Sequence, residues 1–123
     1  MKGKLYLRSY YDGIMEGVYN INIARGNMSG IEDKRISLAP SKELFNWFKL
    51  NKNKDNWFSD YKKVYLNQLS KNNIALNELS GIKYLLDEGK DVCIYCFCKN
   101  KNICHRGIIG DMFKKRGYEV VIY

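Results

Sequence analysis

All four cysteines and the one histidine of this 123-residue chain fall in a single stretch: Cys93-Ile94-Tyr95-Cys96-Phe97-Cys98, then after five residues Cys104-His105-Arg106-Gly107. Thiols, an imidazole and a guanidinium at this spacing can serve three chemistries. In the leading one, backbone N–H groups at a helix N-terminus and the forked donors of Arg106 and Arg25 hold a small anionic or nucleotide-like ligand at the Cys98 to Arg106 turn, with Cys98 among the binding residues, Cys104 as thiolate or pocket wall, and no cofactor. Removal of Arg106 should then weaken ligand binding without unfolding the protein. The alternative is a zinc or iron site made by Cys96, Cys98, Cys104 and His105, because thiolate and imidazole are the donors such ions take. The spacing argues in part against metal, since alternating strand residues point to opposite faces and adjacent helical residues diverge by about 100°. The third chemistry is nucleophilic catalysis, in which Cys104 or Cys98 is held as thiolate by the helix dipole, His105 and Arg106. Cys104 and His105 are its catalytic candidates, with His105 as acid or base. Cysteine is among the most often buried residue types, and Cys93 and Cys96 read as plain core.

The elements that must position these groups follow from periodicity. Val92 to Phe97 is apolar on both alternating faces, the pattern of a central strand covered by helices on either side. A helical pattern starts at Cys104 and runs to Arg116 with Ile108, Ile109, Met112 and Phe113 on one face; Gly117 is its stop, and Glu119 to Tyr123 reads as a closing strand. Strand, helix and strand over this length form a βαβ unit with parallel strands and a right-handed crossover. The polar turn from Cys98 to Arg106 then lies beyond a strand's carboxyl end, where open α/β sheets bind ligands.

Upstream, Lys4 to Tyr10 reads as a first strand and Asp12-Gly13 as a turn. Val18 to Ala24 alternates strictly, with Tyr19, Ile21 and Ile23 on one side, and ends at Arg25-Gly26, an arginine that can point into a pocket. Residues 27–37 read as a surface loop. Ser41 is placed to cap a short helix carrying Leu44, Phe45, Trp47 and Phe48, read as core rather than as a binding stripe. Trp57, Phe58, Tyr61, Val64, Tyr65 and Leu69 mark one face of a second helix, and Leu76, Leu79, Ile82 and Leu86 a third, interrupted by Gly81 and stopped by Gly89. The fold expected is one three-layer α/β domain over residues 1–123, its mostly parallel sheet flanked by helices and closed by the βαβ unit.

Composition narrows the function less. The net charge of +8 suits another alternative, a non-catalytic module whose basic surface meets nucleic acid or a host protein, but the basic residues are mostly lysines scattered among asparagines, as in Asn51-Lys52-Asn53-Lys54. No apolar run reaches the roughly 20 residues of a membrane span and the first residues lack a signal-peptide core, so a cytoplasmic protein without a membrane partner is expected. Cytoplasmic thiols stay reduced, which favours metal, reactive or buried cysteines over disulfides. Composition does not address oligomeric state.

Cys96-x-Cys98 followed by Cys104-His105-Arg106 at a helix start resembles the C-terminal pattern of the bacterial and phage family called domain of unknown function 488. There an apolar strand ends in Cys-x-Glu and Cys-His-Arg follows a short loop. Leu38-Ala39-Pro40-Ser41 with Leu44, Trp47 and Phe48, then Trp57, Phe58, Tyr61 and Leu69, is similar to the middle of that family, and Tyr19-x-Ile21-x-Ile23-x-Arg25 to its first strand. Cys98 stands where the family commonly has glutamate. The resemblance implies a compact α/β domain with the Cys-His-Arg turn at its ligand pocket, and no assigned activity.

Overall fold

The computed structural model describes residues 1–98 and 104–122 of the chain. Its elements are β1 (Leu5–Ser9), β2 (Tyr19–Asn22), α1 (Lys42–Asn51), α2 (Trp57–Ser70), α3 (Asn73–Asp87), β3 (Val92–Cys96), α4 (His105–Lys115) and β4 (Val120–Ile122). One-turn 3₁₀ helices stand at Tyr10–Asp12 and Ile36–Leu38. Residues 99–103 of the expected polar turn and Tyr123 of the expected last strand lie outside the described residues.

The four strands form one all-parallel sheet in the order β2-β3-β1-β4. This is the α/β domain that the alternation of strand and helix patterns called for. β3 and β4 are parallel, as a βαβ unit requires, and β1 lies between them. β3 is buried along its whole length because it has a neighbour on each edge and apolar side chains on each face.

Those two faces are covered differently. Leu5, Leu7, Ile21, Ile23, Val92 and Ile94 share one face, and the buried residues of all four helices pack onto it, Tyr65, Leu69, Ile82 and Ile109 among them. On the opposite face Cys93 and Tyr95 are covered by Tyr10, Met15, Val18, Met28 and Ile31 of the irregular segments. Continuous apolarity along β3 suggests helices on both sides, yet the third layer is made of loops. That layer satisfies the Tyr95 hydroxyl. The hydroxyl accepts from the Met15 N–H at 2.9 Å and donates to Asn20 Oδ1 at 2.7 Å, and a loop offers the free backbone and amide groups that a buried phenol needs.

The helices begin and end where local chemistry allows. Ser41 Oγ accepts from the Leu44 N–H and Asn72 Oδ1 from the N–H groups of Ile74 and Ala75, filling donors that the first turn leaves unpaired. Gly89 and Gly117 take φ near +90° at the stops of α3 and α4, a conformation costly for other residues. Tyr61, Tyr65 and Leu69 of α2 are buried as the spacing predicts, whereas Val64 is exposed. The segment 27–37 is tied down more firmly than a surface loop: Arg35 reaches Asp33 and Glu78, each at 3.1 Å, and its N–H donates to the Asn22 carbonyl.

Candidate functional site

The cysteine cluster is assembled at the carboxyl ends of β2 and β3. Cys96 is the last residue of β3, and Cys98 follows two residues later, past a bend at Phe97. Cys104 is the N-cap of α4, with φ −130° and ψ 150°, and its carbonyl receives the Gly107 N–H. Its backbone is therefore extended, so the 100° divergence expected of two helical neighbours does not apply to Cys104 and His105. The objection to convergence drawn from spacing falls away at both ends.

The groups meet. Cys96 Sγ lies 2.7 Å from Cys104 Sγ, Cys104 Sγ lies 3.6 Å from His105 Nδ1, and the three donor atoms fall within 4.8 Å of one another. The other nitrogen of His105, Nε2, stands 2.9 Å from the Ile23 carbonyl. A carbonyl only accepts, so Nε2 carries the proton and Nδ1 turns its lone pair toward the sulfurs. Burial holds the imidazole below its ordinary pKa, and so neutral. The Tyr65 ring sits edge-on to it at 5.8 Å, and Tyr65 in turn donates to the Leu38 carbonyl at 2.6 Å.

Arg106 is 1% exposed. Its Nη1 donates to Cys96 Sγ at 2.8 Å and to the Cys98 carbonyl at 2.7 Å, while Nε has no hydrogen-bond acceptor among the described residues. The guanidinium is thus engaged with the cysteines instead of being offered to an open pocket, and a side chain so buried cannot be removed without cost to stability. Hydrogen bonds from Cys104 and Cys96, with His105 and Arg106 adding to them, pull Cys98 down to about 3. Burial pushes Cys96 up to about 12 and Cys104 well above its usual range. Cys93 belongs to the same buried apolar cluster as Cys96 and Cys104 but is not one of the converging donors.

Above the cluster is a hollow of about 210 Å³. Cys96, Cys98 and His105 border it on one side, Phe45, Phe48, Tyr61 and Phe97 wall it, and Pro40 and Arg25 complete the lining. Arg25 is exposed, with Nε donating to the Pro40 carbonyl at 3.0 Å. The Leu-Ala-Pro-Ser segment is held in place by α2, where Gln68 accepts from the Ser41 N–H and donates to the Ala39 carbonyl. Gly26 leaves room for the Phe97 wall: a Cβ there would stand 2.8 Å from the Phe97 ring.

Of the residues singled out from the sequence, Cys96, Cys98, Cys104, His105 and Arg106 are brought together, and Arg25 reaches the same hollow from β2. Phe45 and Phe48, read as core, are respectively exposed and half-buried and line it. Sequence reasoning missed Phe97, Tyr65 and the Ile23 carbonyl as parts of the site. Only the Tyr65 spacing carried a signal, and it pointed to packing.

A parallel sheet under one helical layer, with a Cys-x-Cys strand end facing a Cys-His-Arg helix start, defines the class, and the chain belongs to the DUF488 family. The family model that matches is described as the active DUF488-N3 subclade and covers residues 20–117, well over half of the chain. No curated protein and no solved structure matches. Among the described residues no helix is long and apolar enough to cross a membrane.

Proposed function

We propose that the protein binds a small, flat, anionic ligand of the nucleotide-like class in the hollow beneath Arg25, with Cys98 and His105 facing it. The observation that carries this reading is the lining itself: four aromatic rings, one exposed guanidinium and the sulfur–imidazole cluster around about 210 Å³ of room. That is below the roughly 300 Å³ at which pockets enclose a whole drug-sized molecule. One ring system enters, stacked among Phe45, Phe48, Tyr61 and Phe97, and its charged group stays at the mouth with Arg25. The description of the matching subclade as active supports a reacting site over a purely structural one. Free thiols at a working site suit the reducing cytoplasm, and we place the protein there.

The test is calorimetric titration with AMP, benzoate and inorganic phosphate. The two ring-bearing anions should saturate one site, and phosphate alone should bind far more weakly. Arg25→Ala should weaken AMP and benzoate by about tenfold or more, the worth of one charge-assisted hydrogen bond. Absence of ring-dependent binding at millimolar concentrations, or an Arg25→Ala protein that binds as well as the parent, would sink the proposal.

A further inference from the structure

We infer that Cys96, Cys104 and the Nδ1 atom of His105, which lie within 4.8 Å of one another, bind one divalent ion of the zinc class, and that Cys98, which stands outside that set at the edge of the hollow, swings in as the fourth ligand. This goes beyond ligand binding in the hollow and does not depend on it. The distances come first. With Zn–S near 2.3 Å and Zn–N near 2.05 Å, a sulfur and a nitrogen on one tetrahedral ion stand about 3.6 Å apart, and two sulfurs about 3.8 Å. Cys104 Sγ and His105 Nδ1 already stand 3.6 Å apart. Cys96 and Cys104, at 2.7 Å, have to open by about 1 Å to admit the ion. That movement is available to Cys104, whose backbone is extended and which sits one residue outside the helix.

The surroundings of the donors make the same case. A ligating histidine donates its second N–H to a carbonyl or carboxylate, which fixes the tautomer and raises the basicity of the other nitrogen. Ile23 supplies that carbonyl. An ordinary core histidine can satisfy both nitrogens with protein oxygen, whereas Nδ1 here faces sulfur.

Arg106 is the counter-charge. Three thiolates and a neutral imidazole on a divalent ion carry a net charge of −1, and the buried guanidinium makes the whole neutral. Its Nη1 already donates to Cys96 Sγ, the outer hydrogen bond that tunes a metal-bound thiolate. Among the described residues the converging group holds only cysteine and histidine, with no carboxylate. Soft sulfur donors of this kind favour zinc-like ions over magnesium or calcium.

The experiment uses the full chain, produced without a metal-affinity tag. Elemental analysis of the protein as isolated should find close to one zinc per chain. After chelator treatment under a phosphine reductant, titration with Co²⁺ alone should saturate at one equivalent. It should give thiolate-to-cobalt absorption in the near ultraviolet and the intense visible bands of a tetrahedral ion, both abolished by added zinc. Cys98→Ser, at a half-buried position that tolerates the change, should lower the Co²⁺ affinity at least tenfold and weaken the near-ultraviolet band. Cys93→Ala, which removes a thiol outside the converging donors, should leave both unchanged. A pale six-coordinate spectrum, substoichiometric binding, or a Cys98→Ser protein with the parent's band and affinity would overturn the assignment. AMP titrations of the zinc-loaded and metal-free protein report on the hollow separately, so either proposal can fail while the other stands.

Discussion

Two arginines adjoin the cluster, and truncating them should have opposite consequences. Arg106 is 1% exposed, and its Nη1 makes two hydrogen bonds, at 2.8 Å to Cys96 Sγ and 2.7 Å to the Cys98 carbonyl. Hydrogen bonds to a charged group contribute about 1.5–3 kcal/mol each, and breaking a buried charged pair from one side costs about 3–5 kcal/mol. Arg106→Ala should therefore lose about 3–5 kcal/mol, a large share of the roughly 5–15 kcal/mol that holds a domain folded. Arg25 is exposed with one bond, from Nε to the Pro40 carbonyl, so Arg25→Ala should cost less than about 1 kcal/mol. Urea unfolding followed by far-ultraviolet circular dichroism at pH 7 measures both. For a chain of this length the Arg106 loss corresponds to a fall in Tm of at least about 10 °C. The order reverses for ligand binding, where Arg25→Ala is the damaging change. An Arg106→Ala protein within 1 kcal/mol of the parent would mean that the guanidinium faces water and that its engagement with the cysteines is wrong.

Four further outcomes follow from particular contacts. Gly26→Ala sets a Cβ 2.8 Å from the tip of the Phe97 ring; the ring can turn, so stability should change by less than about 1 kcal/mol while AMP affinity falls severalfold in calorimetry. Tyr65→Phe removes the 2.6 Å hydrogen bond to the buried Leu38 carbonyl and should cost about 1–3 kcal/mol in urea unfolding. Iodoacetamide on metal-free protein should label Cys98, the one half-buried cysteine, before Cys93, Cys96 and Cys104, with mass spectrometry reading the order. Burial alone would raise the Asp33 pKa, but hydrogen bonds from Arg35 and Tyr19 and the Arg35 charge outweigh it and hold the carboxyl below its ordinary value. The stability this adds is present above about pH 4, the unfolded-state pKa, and is lost as pH falls through the folded-state value. Asp33→Asn should thus be less stable than the parent at pH 7, and the gap should narrow in urea titrations at pH 4 and below.

Most of the fold was legible because its signals are local. The caps at Ser41 and Asn72, the stops at Gly89 and Gly117, and the spacing of Tyr61, Tyr65 and Leu69 each speak through residues a few positions apart. The sheet order was not legible, because β1 enters between β3 and β4 and nothing in the βαβ pattern of residues 92–122 records a strand from the N-terminus. The same limit explains the loop layer over Cys93 and Tyr95. The continuous apolar run of β3 correctly marks both faces as buried, but the inference that helices bury both is wrong for the face that loops cover.

The site divides along the same line. Its donors are close in sequence and were visible as a group, yet strand and helix rules applied residue by residue argued against their meeting. The resolution lies at the element boundaries. Cys98 is past the end of β3 and Cys104 is before the first turn of α4, so neither obeys the periodicity of its neighbour, and caps are where side chains can converge from different elements. The partner of His105 is 82 residues away, at the Ile23 carbonyl. It is available because β2 pairs with β3 and ends beside it: the Ile23 N–H closes the ladder on the Tyr95 carbonyl at 3.0 Å, leaving the Ile23 oxygen for the imidazole. The tautomer of His105, and with it the lone pair that Nδ1 turns to the sulfurs, is therefore set by strand pairing across the sheet. A substitution that slipped β2 by one residue would flip Ile21 and Ile23 out of the core. It would also remove the acceptor that makes Nδ1 a donor atom, so the fold and the chemistry of this centre should be lost together.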